Sequence, residues 1–304
     1  MATKPAGRSD AKKAEKTVAR KSATKADKVA KPKHNRPAPS QPSYNDGMLN
    51  IAIKAARIAG NIQLIALLES EYLEIRSKAT GDFVTQVDKQ CEEAIVDVIS
   101  KAFPDHGFIG EELGQQGNPD AEYRWIIDPL DGTTNFIHGI PQFAVSIACM
   151  KDNKLIHAVV YDPSKNELFT ATRGKGATLD NRRIRVSNQS MMKNALIGTG
   201  FPFRSDADYE AYMPVMKNVM QATAGVRRPG AASLDLCWVA CGRYDAYWEA
   251  GLKPWDMAAG ALIALEAGAF VTDFEGNDGY LNSGNIIAGT PKIFTPLFAL
   301  INKK

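Results

Sequence analysis

The chain has 304 residues, 44% of them hydrophobic, enough for one large or two ordinary globular domains with a sizeable core. Its net charge of +3 is unevenly spread: residues 1–43 hold 12 Lys/Arg against 3 Asp/Glu (+9), and the rest holds 25 against 31 (−6). No run of about 18 apolar residues is present and the start lacks an apolar h-region, so neither a membrane span nor a secretory signal is expected.

Residues 1–43 are rich in Ala, Lys, Pro and Ser and lack Leu, Ile, Phe and Trp. Such a segment cannot bury enough apolar area to offset ordering, so disorder is expected. It is Lys-rich and includes Asp10, Glu15 and Asp27, unlike a mitochondrial presequence. Two readings stand side by side: a solvated tail, and a basic arm that contacts RNA or another polyanion.

Order is expected from Met48. Leu49, Ile51, Ile53, Ala56, Ile58, Ala59, Ile62 and Ile65 form a helical stripe lasting to about Glu69. Gly81-Asp82 turns into a short strand at Phe83–Thr85, and a second helix runs from Asp88 to Phe103, closed by Pro104 and Gly107. Phe108-Ile109 and Trp125–Ile127 read as strand ends, the second stopped by a turn at Pro129. Strands at Phe143–Met150, Leu155–Tyr161, Leu168–Thr172 and Ile184–Val186, joined by turns such as Asp152-Asn153, predict an antiparallel sheet. From Asn188 onward strands (195–200, 225–228, 245–249, 270–273, 286–288) alternate with helices (206–222, 233–241, 255–267, 291–301). The reading is therefore a tail over 1–43, an α+β domain over 44–187 and an α/β domain over 188–304.

Chemistry concentrates where predicted strands end in acids. Asp128-Pro-Leu-Asp131-Gly132 sets two carboxylates three residues apart, and Thr133-Thr134-Asn135 opens a helix behind them. Alone this is a polar turn. Two further clusters, Gly110-Glu111-Glu112 and Trp255-Asp256-Met257 at the mouth of an Ala-rich helix, change the reading. Several acids beside free backbone N–H groups suit hard cations held next to an anion, the setting for metal-assisted phosphate chemistry. The four cysteines, Cys91, Cys149, Cys237 and Cys241, read as small buried thiols of a reducing cytoplasm.

With these motifs in place, the sequence resembles the inositol monophosphatase family, particularly its bacterial branch. Asp128-Pro-Leu-Asp-Gly-Thr-Thr-Asn-Phe136 and Trp255-Asp-Met-Ala-Ala-Gly260 match its two signatures; Gly110-Glu-Glu112 and Asp82-Phe-Val-Thr-Gln-Val-Asp88 match its upstream elements. The resemblance spans about residues 48–300. It implies a layered α/β/α/β/α sugar-phosphatase fold with an antiparallel N-terminal sheet and a mixed C-terminal one. It also implies a lithium-sensitive, cytoplasmic, homodimeric hydrolase that uses two or three Mg²⁺ ions.

Carried over by resemblance, Glu111, Asp128 and the Leu130 carbonyl hold the first ion. Asp128, Asp131 and Asp256 hold the second, and Glu111 also serves a looser third. Asp88 accepts from the Thr133 hydroxyl, which with Glu111 orients the attacking water; an Asp88 helix cap is the structural alternative. Gly132 and Thr133 amides cradle phosphate. Glu249 and the Ala232 backbone meet substrate hydroxyls, with Asp131 and Asp256 beside them. Ala231 departs from the family's usual Ser or Thr. Lys78 matches a flexible-loop lysine only with a one-residue gap, and a solvated surface lysine is the other reading. His138 reads as a rim residue and His157 as a strand-surface one. Inositol monophosphate and related polyol phosphates are the implied substrates; fructose bisphosphate, histidinol phosphate, nucleotide 3′-phosphates and NADP are alternatives within the superfamily. A different class also stands, an RNA- or transcription-complex-associated factor, which the basic tail favours.

Overall fold

A computed structural model describes residues 46–68, 75–79, 82–202 and 209–303. The expectation of disorder over residues 1–43 lies outside the described residues. Two sheets and three helix layers follow from where apolar residues fall. Helix α1 (Asp46–Leu68) turns Ala52, Ala55, Ala56 and Ala59 inward. A β-hairpin, β1 (Ile75–Ala79) and β2 (Asp82–Thr85), leads into α2 (Gln86–Ala102), whose buried face carries Val87, Cys91, Ile95 and Ile99. Small alanines on α1 let α2 approach closely, and the pair covers one face of the first sheet through Trp125, Ile127, Val145 and Ile147.

That sheet has eight strands: β3 (Gly107–Gly110), β4 (Gly114–Gly117), β5 (Tyr123–Asp131), β6 (Ala144–Lys151), β7 (Lys154–Asp162), β8 (Glu167–Thr172), β9 (Gly176–Leu179) and β10 (Arg182–Arg183), in the order β10-β9-β8-β7-β6-β5-β3-β4. It is antiparallel except that β3 and β5 run parallel, so the sheet is mixed where a wholly antiparallel one was expected. The reason is the edge hairpin: β3 turns back into β4 on its outer side, and the chain then crosses to the other side of β3 and re-enters as β5 in the direction of β3.

After the five-residue helix α3 (Thr133–Ile137), the second half supplies β11 (Leu196–Thr199), α4 (Tyr209–Ala222), β12 (Gly225–Arg227), α5 (Ala232–Ala240) and β13 (Ala246–Glu249). It ends with α6 (Pro254–Ala267), β14 (Phe270–Thr272), α7 (Tyr280–Ser283), β15 (Ile286–Gly289) and α8 (Pro291–Ile301). The mixed five-stranded sheet reads β12-β11-β13-β15-β14. Helices α5 and α6 are buried along most of their length because they lie between the two sheets, packing Leu234, Met257, Ala261 and Leu262 against Ala158, Val160, Tyr247 and Ala288. Helices α4 and α8 close the far face over Ile197, Trp248 and Ile287. The layers are thus α/β/α/β/α. One core cluster of described residues draws on both sides of 188.

Several expectations need correction. The chain does not turn out of the sheet at Pro129; β5 continues to Asp131 with a register shift between Asp128 and Asp131. Proline lacks the N–H a regular ladder needs, and a bulge accommodates it. No strand forms at Ile184–Val186: the Ile184 amide still reaches Ala177, but Val186 leaves the sheet to bond the Ala267 carbonyl. Strands β1, β4, β9 and β10 and helix α7 were not anticipated, being short and carrying little apolar periodicity. The predicted helix over 206–222 is described from Tyr209. Asp152 and Asn153 adopt φ of 49° and 59°, the tight hairpin their residue types suggested. One described helix, α1, does have the length and hydropathy to cross a membrane, contrary to expectation; here its alanine face packs on α2 and β7.

Candidate active site

Three chain turns bring acids to the same ends of neighbouring elements. Glu111 follows β3, and its amide donates to the Ile127 carbonyl of β5 at 3.2 Å. The bulge presents Asp128 and Asp131 on either side of Leu130. Asp256 sits in the first turn of α6, which Ser146 Oγ ties to β6 by donating to the Trp255 carbonyl at 3.2 Å.

Asp128 is 2% exposed and accepts the Leu130 amide at 2.9 Å. Burial pushes its pKa well above the ordinary carboxylate value, and the charges of Glu111, Asp131 and Asp256 push it further. Asp131 rises to about 6, again through burial first, with Ser233 opposing. Its carboxylate accepts the Ala232 amide at 3.2 Å, the Ser233 amide at 2.7 Å and the Ser233 hydroxyl. These bonds pin the first turn of α5 to the bulge. Ser233 was not anticipated; the cue was a small hydroxyl residue in the first turn of a helix.

Asp88 and Thr133 meet. Thr133 Oγ1 donates toward Asp88 Oδ1 at 3.1 Å and the Leu130 carbonyl at 3.0 Å. Asp88 Oδ2 accepts the Thr85 amide at 2.8 Å and the Thr85 hydroxyl at 2.6 Å. Thr85 is the N-cap of α2 and Asp88 its third helical residue, so the cap belongs to Thr85 and the two form a reciprocal box. Burial raises the Asp88 pKa to about 6. Gly132, at φ 93°, is confined further: a Cβ there would stand 2.8 Å from the Gln142 carbonyl. Asn135, also unanticipated, clamps α3 by donating to the Gln142 and Pro229 carbonyls, both at 2.8 Å.

Glu249, near the end of β13, is buried and accepts the Tyr247 hydroxyl. A cavity of about 830 Å³ opens beside Glu249 and Lys253 and is lined by Phe201, Tyr212, Trp248 and Phe274. Glu111, Asp128 and Asp131 are not among its described lining residues. Lys78 falls on β1, and its side chain lies outside the described residues. His138 is exposed. His157 is not on the strand surface: it is 1% exposed on β7 with Nδ1 3.0 Å from Thr172 Oγ1. Helix α1 covers one face of β7 and α5 and α6 the other, which leaves only Lys154 at its start exposed.

No three Asp, Glu, His or Cys side chains among the described residues close on one point as a ready cage for an ion. The hydrogen bonds explain it: Asp131 faces the α5 amides, and Asp256 Oδ2 accepts the Lys253 amide at 2.6 Å. The donor set nonetheless fits a hard divalent cation. It is all oxygen, and Asp128 is loaded with neighbouring negative charge that such an ion would relieve. Mg²⁺ keeps several of its waters, so it does not require every carboxylate in direct contact.

Five alternating layers with acid-bearing turns gathered beside a short helix make this a sugar-phosphatase fold. The family model for the inositol monophosphatase family matches residues 45–303, and the chain belongs to that family of phosphatases. Among curated relatives, a Nus factor named SuhB from Pseudomonas aeruginosa is 50% identical over 258 residues, 84% of this chain and 95% of the relative. The Nus factor SuhB of Escherichia coli is 46% identical, covering 83% and 94%. Among solved structures, the extragenic suppressor protein suhB of Bartonella henselae superposes with a TM-score of 0.82 at 43% identity, over 84% of this chain and 99% of that one. The inositol monophosphatase of Anabaena gives 0.74 at 37%, over 84% and 95%.

Proposed function

We propose that the chain is a Mg²⁺-dependent phosphomonoesterase that hydrolyses inositol monophosphate and related polyol and sugar phosphates. The observation that carries this reading is the Thr133 hydroxyl poised 3.1 Å from buried Asp88, two residues beyond the acid-flanked bulge. Phosphate monoesters resist hydrolysis because their charge repels nucleophiles and an alkoxide leaves poorly. Mg²⁺, when bound, neutralises that charge and makes water a stronger nucleophile. Glu111, Asp128 and the Leu130 carbonyl would hold one ion and Asp128, Asp131 and Asp256 another, with a third leaning on Glu111.

The protein's own groups do the rest. Thr133, when its one hydrogen turns to Asp88 and away from the Leu130 carbonyl, offers an oxygen lone pair to a water whose proton passes by way of Thr133 to Asp88. Glu111 fixes that water from the other side. The Gly132 and Thr133 amides bear on the phosphate oxygens. Glu249, oriented by Tyr247, accepts substrate hydroxyls near Ala232 and Asp256, and Lys78 adds charge from the β1 hairpin. The enzyme works as a lithium-sensitive homodimer in the cytoplasm, which suits its buried free thiols Cys91, Cys149 and Cys237. Phosphate release from a panel of inositol, sugar and nucleotide phosphates, with and without Mg²⁺, tests the reading. Activity confined to nucleotide or fructose phosphates would move the substrate assignment.

A second reading is favoured by the names of the relatives, Nus factors at 46–50% identity, and by the +9 balance of residues 1–43. In it the chain also joins a transcription complex and contacts RNA through that basic segment. RNA retention that falls with salt and is lost on removing residues 1–43 is the expected result.

A further inference from the structure

The acid-bearing turns sit on different elements, so something must hold them in register. Glu92, on α2 and fully buried, accepts the Glu112 amide at 2.8 Å on one carboxylate oxygen and the Leu113 amide at 3.0 Å on the other. It thereby grips the turn that carries Glu111. Gly110 admits it, since a Cβ at that position would stand 1.9 Å from Glu92 Oε1. Asp88 lies one helical turn earlier on α2, so a single buried face of that helix holds both the Glu111 turn and Thr133.

The bulge is held from α1. Gln63, fully buried, donates from Nε2 to the Pro129 carbonyl at 2.7 Å, between Asp128 and Asp131. The opposite amide orientation would set Oε1 against a carbonyl oxygen, so chemistry assigns the donor. Gln63 Oε1 is buried with no hydrogen-bond partner. Burying an amide oxygen unpaired is unfavourable, and a leucine would fill the same space without that cost. What the glutamine adds is its grip on the bulge.

We infer that Glu92 and Gln63 are positioning residues that set the metal affinity of the site by holding the Glu111 turn and the Asp128–Asp131 bulge from behind. The inference rests on the metal-dependent reading above. Both act through backbone groups behind the acids, Gln63 on Pro129 and Glu92 on Glu112 and Leu113. Partners of this kind change metal affinity by roughly 10–100-fold when removed.

The test is calorimetric titration of Mg²⁺ into metal-free wild type, Gln63→Leu and Glu92→Gln, with melting temperatures for each and Mg²⁺ dependence of phosphate release. Gln63→Leu should melt close to wild type, because it removes an unpaired buried oxygen together with one hydrogen bond. It should bind Mg²⁺ at least roughly tenfold more weakly, and saturating Mg²⁺ should recover most of kcat. Glu92→Gln should also bind more weakly, since its Nε2 would face a backbone N–H. Unchanged Mg²⁺ affinity in the folded variants overturns the inference. So does a weakening that merely follows a fall in melting temperature. If Glu92→Gln does not fold, Gln63→Leu decides. Wild type that binds no Mg²⁺ strikes instead at the metal-dependent reading, and the inference falls with it.

Discussion

Replacing Thr133 with valine removes one hydroxyl and keeps the side-chain shape. That hydroxyl lies 3.1 Å from Asp88 Oδ1 and 3.0 Å from the Leu130 carbonyl. Asp88 is not stripped by its loss, because Oδ2 keeps the Thr85 amide at 2.8 Å and hydroxyl at 2.6 Å. The stability cost is therefore that of one hydrogen bond to a charged group, about 1.5 kcal/mol, and not that of an isolated buried charge. In a unit of this size that lowers the melting temperature by roughly 3–6 °C. Catalysis should suffer far more. If Thr133 and Asp88 take the proton of the attacking water, kcat should fall by roughly 10²–10⁴-fold. Calorimetric melting and steady-state phosphate release on the same sample separate the two effects. A variant that melts a few degrees lower yet turns over at the wild-type rate would refute the relay and leave Thr133 as a structural clamp.

Glu249→Gln should raise KM for inositol monophosphate more than for a featureless aryl phosphate, since it removes a hydroxyl acceptor and leaves the Asp128–Asp131 bulge alone; equal losses on both would make Glu249 structural. The His106 ring stacks between Phe103 and Tyr123, and its Nδ1 accepts Trp125 Nε1–H at 3.0 Å. Burial lowers its pKa below the ordinary 6.5, so the folded state prefers the neutral ring. That contribution is fully present above the unfolded value and is lost as pH falls through the lower folded one. Wild type should therefore lose melting temperature across that window, from the unfolded value down to the folded one, more steeply than His106→Phe, and parallel pH profiles would remove His106 from the explanation. Deleting residues 1–43 should leave turnover on inositol monophosphate unchanged while weakening RNA retention at low salt; a large loss of turnover in folded truncated protein would make that segment part of the enzyme.

Much of the fold was legible because its longer elements carry their own pattern. The apolar stripe of α1 and the apolar runs of β6 and β7 announce themselves through periodicity, and α6 does so through an Ala-rich run after Pro254. Strand β4 is Gly-Gln-Gln-Gly and β10 is Arg-Arg, so both are strands only because a neighbour supplies hydrogen bonds. The acids of the candidate site were legible for a similar reason, as charges placed abruptly after buried strands. Their supports were not. Ser233, Asn135, Glu92 and Gln63 act across 20 to 102 residues of chain, and nothing local in a glutamine on α1 reveals that it will meet Pro129. The bulge was misread as a turn because proline marks both, and only pairing with β6 distinguishes them.

The acid-bearing turns are proposed to work by holding metal for phosphate-ester hydrolysis. Phosphate release from inositol monophosphate by chelator-stripped protein, followed as Mg²⁺ is returned, tests it most directly, with Asp131→Asn measured alongside. Wild type should be inactive when stripped and recover saturably with Mg²⁺. Asp131→Asn, folded by circular dichroism, should stay lower by orders of magnitude at every Mg²⁺ concentration, because it removes a charge the ion needs. Full turnover without added metal, or wild-type turnover by Asp131→Asn, would contradict the account.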